Sequence, residues 1–285
     1  MQVRKAAFSG SWYPADPEIA KARIHQFLGE TRCAASAPLS PVGGIVPHAG
    51  WFFSGSIACA VIHCIAAARA SETDVVVLFG MHLPPGAPFH IMPEGAWETP
   101  FGPVPVDTEL AEALIRRHAF TRETPSRFQQ DNTIEVQMPF VRHFFPNSRV
   151  VAMGVPPTAE ALTLAADLVE AAAERSLSIV VIGSTDLTHY GPNYGFMPKG
   201  RGLSTVSWVR KENDRRVIEA MERMDPLAVI REGLENSNAC CSGAAAAAIA
   251  AGKAMGATRA TPIAYATSHE KHPDDSFVGY VGMVF

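Results

Sequence analysis

Short, continuous apolar runs alternate with segments of helical periodicity along the chain. Val42-Gly43-Gly44-Ile45-Val46-Pro47, Asp74-Val75-Val76-Val77-Leu78-Phe79, Arg149-Val150-Val151-Ala152-Met153-Gly154-Val155 and Ser178-Ile179-Val180-Val181-Ile182-Gly183 read as strands. The second is apolar without a break, as strands covered on both faces are. The alternation predicts an α/β fold, a mostly parallel sheet flanked by helices. Ser54 or Ser56, Asp107 and Thr158 are placed to cap the intervening helices, the one after Asp107 running to His118. Helices, two or three of them, are expected over 203–256, followed by strands at Ile263–Thr267 and Phe277–Phe285. The Ala run at 244–251 reads as a tightly packed helix. The Pro/Gly-rich stretch from Pro84 to Pro105 is too long for a simple connection and is expected to form a functional loop or hairpin. Pro38-Leu39-Ser40-Pro41 reads as the joint between the first helix and the first core strand. No linker divides the chain, so 1–285 is read as a single domain.

Composition narrows the function classes. Hydrophobic residues make up 47% of the chain and charged residues 18%, enough apolar material for a sizeable core. A net charge of −4 does not point to a broad basic surface for nucleic acid. The opening Met1-Gln2-Val3-Arg4-Lys5-Ala6 lacks the apolar core of a signal peptide, and the longest apolar stretch is too short to span a bilayer. The expected location is therefore cytoplasmic, with no membrane partner. Cys33, Cys59, Cys64, Cys240 and Cys241 are odd in number and scattered, which argues against a secreted disulfide framework. The absence of a CxxC pair argues against a structural zinc ribbon.

Candidate chemistry gathers where strands end. Ile45-Val46-Pro47 runs into His48, Leu78-Phe79-Gly80-Met81 into His82, and Ile182-Gly183-Ser184-Thr185 into Asp186 and His189. In a parallel sheet these are all carboxyl ends, the edge where open α/β sheets bind ligands. Taken singly, each residue has a plainer role. A lone His after a strand is commonly a hydrogen-bonded loop residue, and Asp186 can form a turn or cap. Cys240 can be a buried small hydrophobe, although its place before an Ala-rich helix favours thiolate.

Several segments together resemble the Memo family, called AmmeMemoRadiSam system protein B in microbes. They are Ala7-Phe8-Ser9-Gly10-Ser11-Trp12-Tyr13-Pro14, Pro47-His48-Ala49-Gly50-Trp51, Glu98–Asp107, Ile134-Glu135-Val136-Gln137-Met138-Pro139-Phe140 and Ser184-Thr185-Asp186-Leu187-Thr188-His189-Tyr190. The resemblance implies a fold similar to the catalytic subunit of class III extradiol dioxygenases, which hold non-heme Fe(II) through two His and a Glu. In the family a Cys replaces the Glu. Carried over, His48 and His82 match the two His ligands and Cys240 the third, with Cys241 as the alternative thiol. His189 matches the acid/base His, with Asp186 beside it. The implied cofactor is a divalent metal ion, Fe(II) or Cu, with Zn as an alternative. The resemblance implies either a dioxygenase-like oxidoreductase acting on a small molecule, or a metal- or phosphopeptide-binding protein without turnover. A phosphopeptide would call on basic residues such as Arg127 or Arg201, and the Pro84–Pro105 excursion is expected to line the pocket. By name, the family is also associated with AMMECR1-like and radical SAM proteins. Asn132 stands where the family has His, and Met81 precedes His82 where the family has Ser.

Overall fold

The chain opens with strand β1 (Val3–Arg4) and helix α1 (Pro17–Glu30), then enters the core through β2 (Gly43–Val46), α2 (Trp51–Ala67) and β3 (Val75–Gly80). Three short strands follow, β4 (Phe89–Ile91), β5 (Ala96–Trp97) and β6 (Val104–Pro105), then α3 (Thr108–Ile115) and β7 (Phe120–Arg122). Next come α4 (Asn132–Glu135), α5 (Met138–Phe144), β8 (Arg149–Gly154), α6 (Glu160–Ala173), β9 (Ile179–Ser184) and β10 (His189–Tyr190). The last third contains α7 (Leu203–Trp208), α8 (Asp214–Glu222), α9 (Pro226–Asn236), α10 (Ser242–Ala254), β11 (Thr261–Thr267) and β12 (Phe277–Val284). This computed structural model describes residues 1–30, 33, 40–69 and 71–285, so Pro38 and Leu39 of the expected joint lie outside the described residues.

The expected α/β architecture is present. β2, β9, β3 and β8 lie side by side and parallel. Antiparallel strands extend this centre on both sides: β12 beside β2, and β4 beside β8. Alternate residues of β3 serve opposite faces. Val75, Val77 and Phe79 pack in one apolar cluster with side chains of α6 and α10. Val76 and Leu78 pack in another with side chains of α1, α2 and α5. Helices cover both faces, which is why β3 is apolar without a break.

The Ala run forms α10, buried along nearly its whole length. It sits almost at backbone contact with β9: a Cβ on Gly183 would lie 2.8 Å from both the Ala244 carbonyl oxygen and the Ala248 Cβ. Small residues on both partners permit this approach, and it brings the start of α10 against the carboxyl end of β9. There Cys240 N donates to Asp186 O at 3.1 Å, and Cys241 N to Thr185 Oγ1 at 3.1 Å.

Several expectations need correction. α2 begins at Trp51, so neither Ser54 nor Ser56 is its cap; Trp51 N donates instead to Trp12 O at 2.8 Å, and Ser54 Oγ to Ala49 O. Thr158 precedes the N-cap of α6, which is Ala159 without a side-chain bond. Asp107 does cap α3, accepting from Leu110 N at 2.9 Å, although the helix ends at Ile115 and only a turn carries on to His118. Of the loop or hairpin expected from Pro84 to Pro105, the structure has a hairpin, β5 with β6, and further pairing. β4 joins the main sheet, and β5 pairs with both β6 and β1 in a small separate sheet. α7 and α8 are joined through a π-helical turn at Val209–Asn213, so with α9 and α10 the region holds three helical bodies. A disulfide joins Cys33 to Cys64 of α2, with Cα atoms 5.7 Å apart. Among the described residues, no helix is long and apolar enough to cross a membrane.

Gly183→Val is expected to destabilise the protein by roughly 1–3 kcal/mol through overpacking against α10. Urea unfolding beside the parent protein measures this, and an unchanged midpoint would refute the close packing of β9 and α10.

Candidate metal centre

Because β2, β9 and β3 are adjacent and parallel, the residues just past their carboxyl ends converge: His48, Asp186 and His82 respectively. The start of α10 adds Cys240 and Cys241. One donor atom from each of His48, His82, Cys240 and Cys241 lies within 4.8 Å of all the others. The imidazole rings of His48 and His82 meet edge to face, centroids 5.0 Å apart.

Hydrogen bonding settles which nitrogens face inward. His48 is buried, and its Nδ1 lies 3.1 Å from Ser184 Oγ. The single proton of Ser184 is donated to Thr133 O at 2.7 Å, so Ser184 can only accept from His48 Nδ1. His82 Nδ1 lies 3.0 Å from Asp131 Oδ2, which also accepts the His82 backbone N–H at 3.1 Å. A carboxylate accepts, so this Nδ1 also keeps its proton. Both rings therefore present Nε2 to the centre, that of His48 at 3.2 Å from Cys240 Sγ. Met81, between β3 and His82, has φ of +70°, a left-handed conformation that costs a side-chain-bearing residue roughly 1–2 kcal/mol. Its N–H is held by Thr133 Oγ1 at 2.7 Å, and the turn aims His82 at the centre.

The two thiols differ. Burial disfavours the Cys240 thiolate, but the neighbouring Cys241 and the imidazoles of His48 and His82 outweigh it and hold the Cys240 pKa well below the ordinary range. Cys241 is pushed well above that range by burial and by the neighbouring Cys240. Its Sγ donates to Met81 O at 3.5 Å. The histidines answer the thiolate. For His82, burial works against the imidazolium, yet the Asp131 hydrogen bond and Cys240 raise the pKa to about 10. At His48, burial is likewise overcome by Asp186 and Cys240, and the pKa rises.

Asp186 is buried, and burial raises its pKa. Its Oδ1 accepts the His48 backbone N–H at 2.7 Å, while Oδ2 lies 3.9 Å from His48 Nε2. It makes no hydrogen bond to His189 among the described residues. His189 Nδ1 instead donates to Leu187 O at 3.1 Å, leaving Nε2 as the acceptor. Thr188 N donates to buried Asp214 Oδ1 at 3.0 Å, which fixes the turn between Asp186 and His189.

These groups open onto a cavity of about 610 Å³, whose walls include His48, His82, Asn132, Asp186 and His189. Asn132 Nδ2 donates to His48 O at 2.9 Å. Aromatic side chains, Trp12, Phe52, Phe53, Tyr194 and Tyr280, supply much of the remaining wall. Tyr194 meets His189 edge to face at 5.0 Å, and its pKa is raised by burial and by the negative charges of Asp186 and Asp274. No residue of Pro84–Pro105 lines the cavity, because that stretch is drawn into the two sheets. Neither Arg127 nor Arg201 lines it; Arg201 pairs with Asp275 at 3.5 Å.

Sequence reasoning missed the supporting residues. Asp131, Thr133 and Ser184 stand within or beside the recognised motifs, but no periodicity marks a residue that holds an imidazole. The N-terminal motif also has a structural explanation. Ala7 N, Phe8 N and Tyr13 OH all donate to Glu135, which fastens the segment carrying Trp12 to the wall of the cavity.

Residues 4–284 match a family model described as Memo-like protein. A MEMO1 family protein of Methanopyrus kandleri is 34% identical over 294 residues, covering 99% of this chain and 98% of the relative. Another from Methanothermobacter thermautotrophicus is 32% identical, covering 98% of each chain. Among solved structures, an uncharacterized protein from Escherichia coli K12 shares the fold with a TM-score of 0.52 at 10% identity, covering 79% of this chain and 90% of that one.

In the metal-free protein, the His82 imidazolium is expected to persist to about pH 10. Asp131→Asn removes the carboxylate that stabilises the charged ring, so the titration should move toward the ordinary histidine range. Histidine NMR resonances followed against pH test this, and an unshifted midpoint would show that Asp131 does not hold the ring.

Proposed function

The chain belongs to the Memo family, and on that premise we propose that it is a mononuclear metal-binding protein whose ligands are His48 Nε2, His82 Nε2 and the Cys240 thiolate. The observation that carries this reading is the commitment of both Nδ1 protons to fixed acceptors, Ser184 and Asp131, which turns both Nε2 atoms toward one thiolate. Two imidazoles and a soft thiolate suit Fe(II) or Cu, and also Zn. Cys240 is the ligand thiol, because Cys241 keeps its proton and points it at the Met81 carbonyl. Three protein ligands leave a position open toward the cavity.

A redox-active ion held there would supply electron transfer to a small molecule or O₂, the chemistry of a dioxygenase-like oxidoreductase. The protein supplies the rest. His189 Nε2 can take up or return a proton at the cavity wall, its other nitrogen being tied to Leu187 O. Asp186 holds the His48 backbone, and Asn132 holds the His48 carbonyl, so the ligand ring is fixed from both sides of its peptide. The aromatic walls exclude water from one side of a flat ligand. A phosphopeptide is less well served, since no lysine or arginine is among the described lining residues.

Protein purified anaerobically without a metal-binding tag is expected to carry near-stoichiometric iron or copper by mass spectrometry. The metal should be lost from the His48→Ala, His82→Ala double variant and from Cys240→Ser, and kept by Cys241→Ser. Absence of metal from the parent protein even after reconstitution would sink the reading, and loss with Cys241→Ser alone would reverse the choice of thiol.

Metal affinity should also depend on pH. With its pKa raised to about 10, His82 carries a proton on Nε2 at neutral pH, and the metal must displace it. Affinity should therefore rise with pH by about tenfold per unit for each proton displaced, up to the His82 pKa. Competition titrations with a chelator between pH 6 and pH 9 measure it, with the pH range chosen as roughly that accessible to the protein. A flat profile would contradict displacement of a proton from His82.

A further inference from the structure

We infer that the cavity beside the proposed metal ligands is built for an organic cation, a flat ammonium-bearing molecule whose charge lies between Asp186 and Asp274 and whose body lies along the aromatic wall. The inference deepens the proposed function by naming a ligand class for the same cavity, and rests on that reading for its setting.

Asp186 is 3% exposed, yet it lines the cavity. Its Oδ1 is taken by His48 N, while Oδ2 makes no hydrogen bond among the described residues. Asp186 also stands outside the group of converging donor atoms formed by His48, His82, Cys240 and Cys241. A carboxylate oxygen at the wall of an open cavity with no protein donor is free to accept from a ligand.

Asp274 contributes a second carboxylate at the exposed end of the same wall, and the Tyr194 hydroxyl sits in the negative field of both. The mouth carries large aromatic surfaces, with Trp12 37% and Phe52 62% exposed. Aromatic faces beside carboxylates favour organic cations. No lysine or arginine is among the described wall residues, and the imidazoles of His48 and His82 are turned to the Cys240 thiolate. Lys271 is turned to the Phe52 carbonyl at 2.7 Å and does not line the cavity, and Arg23 faces a separate groove. An anionic ligand would meet two carboxylates and no lysine or arginine, the imidazolium charge being answered by the Cys240 thiolate, an arrangement that selects against it.

The test is calorimetry on the full chain, metal-loaded and after chelator treatment, with benzylammonium, benzyl alcohol and benzoate as probes of similar shape and different charge. Benzylammonium is expected to bind about tenfold more tightly than benzoate in both preparations. Asp274→Asn should weaken benzylammonium by roughly threefold and leave benzyl alcohol unchanged, as expected for one partly exposed charge. Tyr194→Leu should weaken benzylammonium and benzyl alcohol alike. Benzoate binding as tightly as benzylammonium would overturn the inference. So would a cation preference confined to the metal-loaded sample, since the amine would then be a metal ligand. Metal content measured on the same samples keeps the two readings apart. A cation preference in protein that takes up no metal would uphold the cavity inference while the metal reading falls. Stoichiometric metal without the preference would do the reverse.

Discussion

The close approach of α10 to β9 is the contact on which the site depends. Cys240 lies far along the chain from His48 and His82, and it reaches them because Gly183 and the Ala run let the helix rest on the strand. The contact also places the backbone N–H of Cys240 on Asp186 O and that of Cys241 on Thr185 Oγ1. A larger side chain in this layer would lift the thiol away from the imidazoles. The alanines that look like low-information filler are therefore a condition of the chemistry.

Around that contact, polar groups that do not touch the proposed ion decide how the ligands behave. Ser184 passes its proton to Thr133 and so accepts from His48; Asp131 accepts twice from His82. Each choice leaves an Nε2 turned inward. The thiolate and the raised histidine pKa values support one another, because each charge stabilises its opposite. Without a metal, the centre is thus a thiolate facing imidazolium. A divalent ion bound there would take the place of the protons.

The same economy extends to the cavity wall. The N-terminal segment is held by Glu135 in the helix that directly follows Asp131, so one short stretch anchors both the His82 imidazole and the segment bearing Trp12. The result is a cavity walled by the imidazoles of His48, His82 and His189, by aromatic rings and by the carboxylates of Asp186 and Asp274. That polarity bears on which molecules can enter.

The apolar runs by themselves determined the four central strands, because burial on both faces demands unbroken hydrophobic residues, and strand ends then put His48, His82 and Asp186 on one edge whatever the detailed packing. The family motifs likewise identified the segments that matter. Other features belonged to the tertiary structure alone. The cap of α2 comes from a carbonyl contributed by Trp12, a partner distant in sequence, so a nearby Ser54 or Ser56 was the wrong inference from local pattern. The excursion after His82 became strands because sheet edges were available to pair with it. Asp131 and Ser184 hold the imidazoles through contacts across the fold, which no local spacing reveals. The distinction between Cys240 and Cys241 was beyond the sequence for the same reason. Two adjacent thiols are locally alike, and only the surrounding charges and hydrogen-bond acceptors make one a thiolate and leave the other protonated.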